Sequence, residues 1–277
     1  GGIAGGVLPD RQGARVLVVE DNSINLEVAG ELLGKARMWT LTATNGREAV
    51  ALVHKEQEQG HTLDLVFMDV QMPEMDGYEA TRALREAGYK DLPIVALTAH
   101  AMSGDKERCL EAGMNDFLPK PLDPAAFTQM LNKWIAPLAG DKGRELPPLP
   151  TSELGEESPD DPSSSAIPDL PGIDISSGLA RVEGNKRLYR NLLLKFRRNN
   201  AKTPEAIAEA LGDNDFETAR RLVHGIKGVA GAIGATQIQA SALDVEKALM
   251  QGDAFRARFL LGPFTLALTG VLAGIQQ

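Results

Sequence analysis

Short apolar runs in this chain end on residues that can do chemistry. Leu65-Val66-Phe67-Met68 leads into Asp69, and Ala14 to Val19 leads into Glu20-Asp21. Ile94 to Leu97 is followed by Thr98, and Asn115 to Leu118 by Lys120 in the turn Pro119-Lys120-Pro121. Apolar runs this short, bounded by turn residues, read as buried parallel strands. In an open sheet of such strands, ligand sites lie beyond the carboxyl ends. Asp69 on its own has a plain alternative as a helix cap or turn residue. If the runs lie side by side, however, Glu20, Asp21, Asp69, Thr98 and Lys120 meet at one edge. Three clustered carboxylates repel one another, so Lys120 supplies one compensating charge and a divalent metal the rest. An all-oxygen site with few protein ligands and room for water favours Mg2+. Such a metal suits phosphoryl transfer, where catalysis is mainly positioning and charge neutralisation.

A second centre is a histidine. Residues 222 to 231 read Leu-Val-His-Gly-Ile-Lys-Gly-Val-Ala-Gly within a helical pattern. A helical histidine is by default a partly buried residue without chemistry. Here Lys227 at i+3 and Gly228 at i+4 share the face of His224. A cation beside the imidazole can hold a phosphoryl oxygen, and a glycine leaves room for another protein's active site. The Gly228-x-x-Gly231-x-x-Gly234 spacing neither follows a strand nor opens a helix, so it is not a nucleotide loop. Close helix packing is its expected role.

The elements that must position these groups follow from hydrophobic periodicity. Strands are expected at Ala14 to Val19, Met38 to Ala43, the run ending at Asp69, Ile94 to Leu97 and Asn115 to Leu118. Between them fall helices from Ser23 to about Lys35, from Asn45-Gly46 through Val53, from Gly77 to about Ala87, and at Asp105 to Ala112 and Pro124 to Ile135. Ser23 is the expected cap of the first helix. Five strands alternating with five helices imply an α/β fold, a doubly wound parallel sheet covered on both faces. Beyond about residue 172 the strand signals stop. Helices are expected at Ile175 to Val182, Asn185 to Asn199, Pro204 to Leu211, Phe216 to Ile233, Thr236 to Met250 and from Asp253 onward. Stripes such as Leu188, Leu192 and Phe196, or Phe216, Ala219, Val223 and Ile226, suit an antiparallel, all-α four-helix bundle. Pro263 should kink or restart the last helix, because it cannot bond to the carbonyl of Phe259.

The 277 residues suffice for two domains with separate cores. A net charge of -9 and a pI of about 5.1 argue against nucleic-acid binding and against docking on anionic lipid. The single cysteine, Cys109, excludes an internal disulfide and a cysteine zinc cluster and fits a reducing, cytoplasmic setting. The uncharged stretch from Phe259 to Ile275 approaches the roughly 17 residues of the shortest spanning helix. It contains Gly262, Pro263, Gly270 and Gly274 and reads as the last helix of a soluble bundle rather than a membrane segment. Residues 1–13 are Gly-rich, lack a signal-peptide pattern and read as a flexible leader. Residues 138–172 mix proline, serine and acidic residues and are too polar to form a core. As a flexible linker they would span on the order of 30 to 35 Å. The expected domains are therefore residues 14–137 and 173–277.

Four segments, VVEDN, MDVQMPEMDG, ALTAHA and FLPKPL, closely resemble the motifs of response-regulator receiver domains, in order and at the expected spacings, across roughly residues 14 to 137. The resemblance implies a flavodoxin-like receiver in which Asp69 is the phosphoacceptor and Glu20 and Asp21 arrange Mg2+ with the backbone carbonyl of Gln71. It also implies that Thr98 and Lys120 contact the phosphoryl oxygens and that Phe117 is the aromatic that reorients on activation. Glu20 departs from the family's commonest Asp-Asp pair, which keeps the charge but lengthens the side chain by a methylene. The HGIKGVAG run resembles the histidine phosphotransfer (HPt) family over roughly residues 173 to 277. That resemblance would make His224 the phosphorylated residue and Lys227 its electrostatic partner. Together the modules resemble the C-terminal receiver–HPt half of a hybrid sensor histidine kinase.

The expected function is a two-component phosphorelay module that accepts phosphate on Asp69 with Mg2+ and passes it to His224. Its partners would be an upstream histidine kinase and a downstream response-regulator receiver. These residues hold no ATP-binding core with glycine-rich boxes, so autophosphorylation from ATP is not expected. One alternative is a Mg-dependent aspartyl-phosphate phosphatase. Such enzymes commonly carry a second Asp two residues after the nucleophile, and here that place is Gln71, which cannot shuttle a proton. The other is a non-catalytic signalling adaptor, which phosphate uptake from a small phosphodonor would exclude.

Overall fold

The computed structural model describes residues 9–99, 103–137, 145–148 and 167–275, and the chain divides into two compact units, Gly1–Glu156 and Glu157–Gln277. In the first unit the apolar runs become strands β1 (Arg15–Val19), β2 (Trp39–Ala43), β3 (Leu65–Asp69), β4 (Ile94–Thr98) and β5 (Asp116–Pro119). Helices α1 (Ser23–Lys35), α2 (Gly46–Glu58), α3 (Gly77–Glu86), α4 (Ser103–Glu111) and α5 (Pro124–Trp134) alternate with them. The strands pair in parallel in the order β2-β1-β3-β4-β5, the doubly wound sheet expected from the pattern. Every residue of β3 and β4 is buried, which is why both read as unbroken apolar runs. At the edge, β2 instead exposes Thr40 and Thr42. Phe67 on β3 and Phe127 on α5 stack with ring centroids 4.4 Å apart.

Side-chain caps fix where several helices begin. Asn22, rather than the expected Ser23, caps α1 by accepting from the Ile24 N–H. Asn45 caps α2, and Asp76 and Glu79 form a reciprocal capping box at α3. Asp123 caps α5, with Pro124 in the first turn where its missing N–H is harmless.

The second unit holds α6 (Ile175–Arg181), α7 (Lys186–Asn200), α8 (Thr203–Gly212), α9 (Phe216–Ala232), α10 (Thr236–Met250) and α11 (Ala254–Gly274). Helix α9 packs against α8 and α10, and α11 closes the ring against α10 and α8. The four make a bundle with α9 and α11 on its diagonal. Helices α6 and α7 lie against α9 and α8, and the buried Tyr189 of α7 donates its hydroxyl to the Ile233 carbonyl at 2.8 Å. Gly228 and Gly231 are buried within the bundle, as close helix packing requires.

Three expectations change. Pro263 does not restart the last helix, since α11 extends through it; Phe259 and Pro263 lie on the exposed side, where water can serve the carbonyl that proline cannot. The stretch read as a flexible leader is anchored at its end. Pro9–Arg11 form a 3-10 turn, and Arg11 Nε donates to the Asn132 carbonyl at 3.0 Å. Most of the stretch read as a linker lies outside the described residues, but its described parts are seated. Trp39 Nε1 donates to the Glu145 carbonyl at 2.9 Å, Arg37 to that of Pro147 at 3.3 Å, and Leu170 is buried in the second unit. By length and composition α11 could cross a membrane, although Ala257, Phe264, Leu268 and Val271 are buried against the bundle.

Two glycines tie helix starts to neighbouring backbone. A Cβ on Gly77 would lie 2.1 Å from the Asp69 carbonyl oxygen, and one on Gly234 (φ 80°) would lie 2.2 Å from that of Asp174. Gly77→Ala should therefore destabilise the first unit, and Gly234→Ala the second, by about 1 to 3 kcal/mol each. Calorimetry should show each variant lowering its own unit's transition and leaving the other in place. An unchanged first transition in Gly77→Ala would mean that α3 does not approach β3 this closely.

Candidate functional site

The strand order 2-1-3-4-5 puts the topological switch point between β1 and β3, where ligand crevices form in open α/β sheets. Val19 is in register with Met68, so Glu20 and Asp69 emerge beside one another there. Both are 1% exposed, whereas Asp21 faces outward. Ligand oxygens of Glu20, Asp21 and Asp69 all lie within 4.8 Å of one another. Lys120, following β5, donates to Asp69 Oδ2 at 2.8 Å and to Glu20 Oε2 at 3.1 Å. Its backbone N–H also bonds the Thr98 carbonyl at 2.7 Å, fastening this turn to the end of β4. Thr98 itself is buried one residue past Leu97, the register partner of Asp69. The Gln71 N–H donates to Asp69 Oδ1 at 3.2 Å, and its side-chain Oε1 is buried without a hydrogen-bond partner.

The structure thus brings Glu20, Asp21, Asp69, Gln71, Thr98 and Lys120 to one edge. Phe117 stands apart on β5, opposite Ala96, half-buried against the sheet core with Lys106 Nζ 5.7 Å from its ring centroid. Asn25 belongs to the site and carries no motif. Its Nδ2 donates to Glu20 Oε1 at 3.0 Å, so Asn25 holds one oxygen of Glu20 and Lys120 the other. That double hold fixes a side chain one methylene longer than aspartate. The available signal was an asparagine within the buried stripe of α1, beside Val28, Ala29 and Leu32.

Burial pushes the Asp69 carboxyl up to about 7, with Glu20 adding to the rise and Lys120 opposing it. Burial also works against the Lys120 ammonium, but Asp69 and Glu20 outweigh it and hold its pKa above the usual lysine value. Lys120 bonds two of these three carboxylates, Glu20 and Asp69. Hard oxygen donors grouped this closely fit a small divalent cation such as Mg2+.

In the helical unit, α9 carries His224 and α10 carries Glu246, which is fully buried. His224 Nδ1 lies 2.8 Å from Glu246 Oε1, and Lys227 Nζ bonds Glu246 Oε2. Burial raises the pKa of Glu246, but the His224 hydrogen bond and the Lys227 charge outweigh it and hold the carboxyl down at about 2. An ionised carboxylate only accepts hydrogen bonds, so Nδ1 of a neutral imidazole carries the proton and Nε2 the lone pair.

Two sequence expectations are corrected by this arrangement. Lys227 is not a cation held out beside the imidazole; its side chain is 4% exposed and ion-paired with Glu246. Gly228 is buried, and Gly225 is the exposed glycine beside His224. Glu246 itself went unread, although a carboxylate within the stripe Ala242, Val245, Glu246 and Leu249 must find a partner.

Comparison with known proteins follows the same division. Residues 16–132 match the response regulator receiver domain family and residues 191–267 the Hpt domain family. The chain is 34% identical over 244 residues, 87% of its length, to the sensor histidine kinase GacS of Pseudomonas protegens. It is 28% identical over 238 residues to the signal transduction histidine-protein kinase BarA of Shigella flexneri. It spans only 25% of GacS and 24% of BarA. Among solved structures, the receiver domain of the sensor histidine kinase PA1611 from Pseudomonas aeruginosa, with a magnesium ion coordinated in its active site cleft, is 37% identical, covering 44% of this chain and 97% of that one with a TM-score of 0.40. The chain belongs to both families, a response regulator receiver domain followed by an Hpt domain, and it matches hybrid sensor histidine kinases across that region.

Proposed function

We propose that this chain is a phosphorelay segment in which Asp69 accepts a phosphoryl group and His224 takes it on for delivery to a downstream receiver. The observation that carries the reading is the His224–Glu246–Lys227 arrangement, in which a carboxylate held ionised by a lysine orients a partly exposed imidazole. The donor is an upstream histidine kinase, and the chain is the cytoplasmic receiver–HPt part of a sensor kinase. The domains are taken as residues 14–137 and 173–277.

Glu20, Asp21, Asp69 and the Gln71 carbonyl would hold Mg2+. When bound, Mg2+ supplies positive charge that draws electron density from the phosphoryl oxygens. A carboxylate oxygen of Asp69 attacks phosphorus on the donor's phosphohistidine; the P–O bond forms as the P–N bond breaks. Lys120 and Thr98 then contact the phosphoryl oxygens, and Phe117 is the aromatic that turns with the shift. Asn25 keeps Glu20 in place throughout. In the second transfer Nε2 of His224 attacks phosphorus in line, and the Asp69 carboxylate leaves. Glu246 accepts from Nδ1–H, stabilising the positive charge that develops on the ring, while Lys227 keeps Glu246 ionised. Lys227 therefore acts on His224 through the carboxylate.

Asp69→Asn should take no label from a phosphorylated kinase. His224→Gln should label on Asp69 yet deliver nothing to a second receiver. Histidine phosphate is acid-labile and aspartyl phosphate base-labile, so the two products separate by treatment of the blotted protein. Mg2+ should stabilise the receiver unit by about 2.7 kcal/mol at one hundred times its dissociation constant and so raise its unfolding midpoint. Labelling by acetyl phosphate in excess chelator would falsify the metal requirement.

Glu246→Ala should slow transfer to His224 by about 10- to 100-fold, the usual effect of removing a group that orients a functional imidazole. Nitrogen-15 spectra should report the Nδ1–H tautomer in the parent chain and a mixture in the variant. A variant that keeps both the tautomer and the rate would remove Glu246 from the mechanism.

The same carboxylate makes stability depend on acid. Its folded pKa, about 2, is depressed from 4.5, so its contribution is complete above pH 4.5 and disappears as pH falls toward 2. That loss should be on the order of 3 kcal/mol for the helical unit. Glu246→Gln should remove this slope and lower stability at neutral pH, since the buried Lys227 ammonium loses its carboxylate. Urea titrations across the acid range would measure both effects, and an unchanged slope would exclude Glu246 as its source.

A further inference from the structure

The geometry points to an interface between two copies of this chain, formed by antiparallel pairing of α11 with its counterpart through Phe255, Phe259, Gly262, Leu266, Thr269 and Ala273. On a surface helix the outward face is ordinarily charged. Here Phe255 is 84% exposed, Phe259 73% and Leu266 76%. No charged residue occurs between Phe259 and Ile275. The bundle already accounts for the opposite face, which buries Ala257, Phe264, Leu268 and Val271. Helix α11 is thus apolar on two sides, and the bundle covers one of them.

The exposed residues follow one another at intervals of four, three, four, three and four, a single stripe with the average period of a coiled-coil seam. The stripe is about 27 Å long at 1.5 Å per residue. Its order of side-chain sizes selects both the occupant and the direction. With a two-fold axis at the level of residue 264, Phe255 faces Ala273, Phe259 faces Thr269 and Leu266 faces Gly262 of the second copy. Every layer pairs a large side chain with a small one, and no atom lies within 4 Å of the place a Cβ on Gly262 would occupy. A parallel pair would set Phe259 against Phe259 and leave a gap at Gly262. Antiparallel pairing also brings the exposed Arg256 to the partner's helix C-terminus, the end that favours positive charge.

The area is enough for a modest dimer. Two phenylalanines at this exposure supply about 300 Å2. With Leu266, Pro263 and the small residues between them the face offers on the order of 600 Å2 per copy, the lower bound of specific interfaces. Micromolar, concentration-dependent association is the expected regime. A lipid surface fits less well, because the stripe has no basic residue from Phe259 onward to meet anionic headgroups. Helix α11 lies diagonally across the bundle from α9, so pairing on its outer side leaves the helix bearing His224 uncovered.

Sedimentation velocity on the full chain tests this. A monomer–dimer equilibrium should appear with rising concentration, and Phe259→Glu and Leu266→Lys should each weaken it at least tenfold. Both variants should keep the parent circular dichroism and the parent phosphate uptake on Asp69, since the residues are exposed and belong to the other unit. Register is read by mixing a Phe255→Cys variant with an Ala273→Cys variant under mild oxidation; a disulfide should form between the two and not within either alone. A monomer at every concentration overturns the proposal, as does a dimer indifferent to both charged variants or a link between two copies of the Phe255→Cys variant. Flotation of the chain with neutral phosphatidylcholine vesicles, lost in Phe259→Glu and without self-association, would assign the stripe to lipid instead.

Discussion

A buried carboxylate must be answered by donors or cations, and both sites in this chain are built on that requirement. Removing an ion from water costs several kcal/mol even after the protein relaxes around it. At the sheet edge, Glu20 and Asp69 are answered by Lys120 and Asn25. In the bundle, Glu246 is answered by Lys227 and His224. The two solutions differ in balance. At the first, burial pushes Asp69 up to about 7 against the pull of Lys120, and the grouped oxygens favour an added cation. At the second, one carboxylate bonds both a lysine and an imidazole and is held down at about 2. The first site is primed to gain charge, and the second is settled and serves to orient.

The fold accounts for where the cluster sits. Parallel strands in the order 2-1-3-4-5 leave a crevice only where the winding reverses, between β1 and β3. Glu20 and Asp69 occupy that crevice because Val19 and Met68 are in register. Lys120 reaches them because its N–H is fastened to the Thr98 carbonyl at the end of β4. Gly77 allows α3 to start directly beneath Asp69, where any larger residue would strike the strand's own carbonyl. Each constraint is local, and together they fix a cluster drawn from residues 20 to 120.

The parts legible in the sequence are those with a period. Fully buried strands β3 and β4 show as unbroken apolar runs, and the residue ending each run names the sheet-edge cluster without any contact being known. The helices of the bundle show through their stripes in the same way. Periodicity says which face a residue shares, not where a long side chain ends. Lys227 is one turn from His224 and its ammonium nevertheless goes to Glu246 on another helix. Gly228 shares the histidine's side of the helix and is still buried, while Gly225 is open. Asn25 and Glu246 escaped because motif reading passes over polar residues inside apolar stripes. Those are the places where burial demands a partner, and each meets a residue of a candidate site.

This asymmetry bears on how the two sites divide the work in the proposed relay. An aspartyl phosphate is a mixed anhydride and a phosphohistidine a phosphoramidate; both are reactive, so the direction of transfer depends on the charges around each product. In that reading, phosphorylating Asp69 would add negative charge beside Glu20 and Asp21, and a bound cation would offset it. Phosphorylating His224 on Nε2 leaves the Nδ1–H bond to Glu246 intact, so the ring's orientation is the same before and after. In the proposed relay the receiver would carry the machinery of transfer, and the helical unit would present an imidazole that Glu246 already orients.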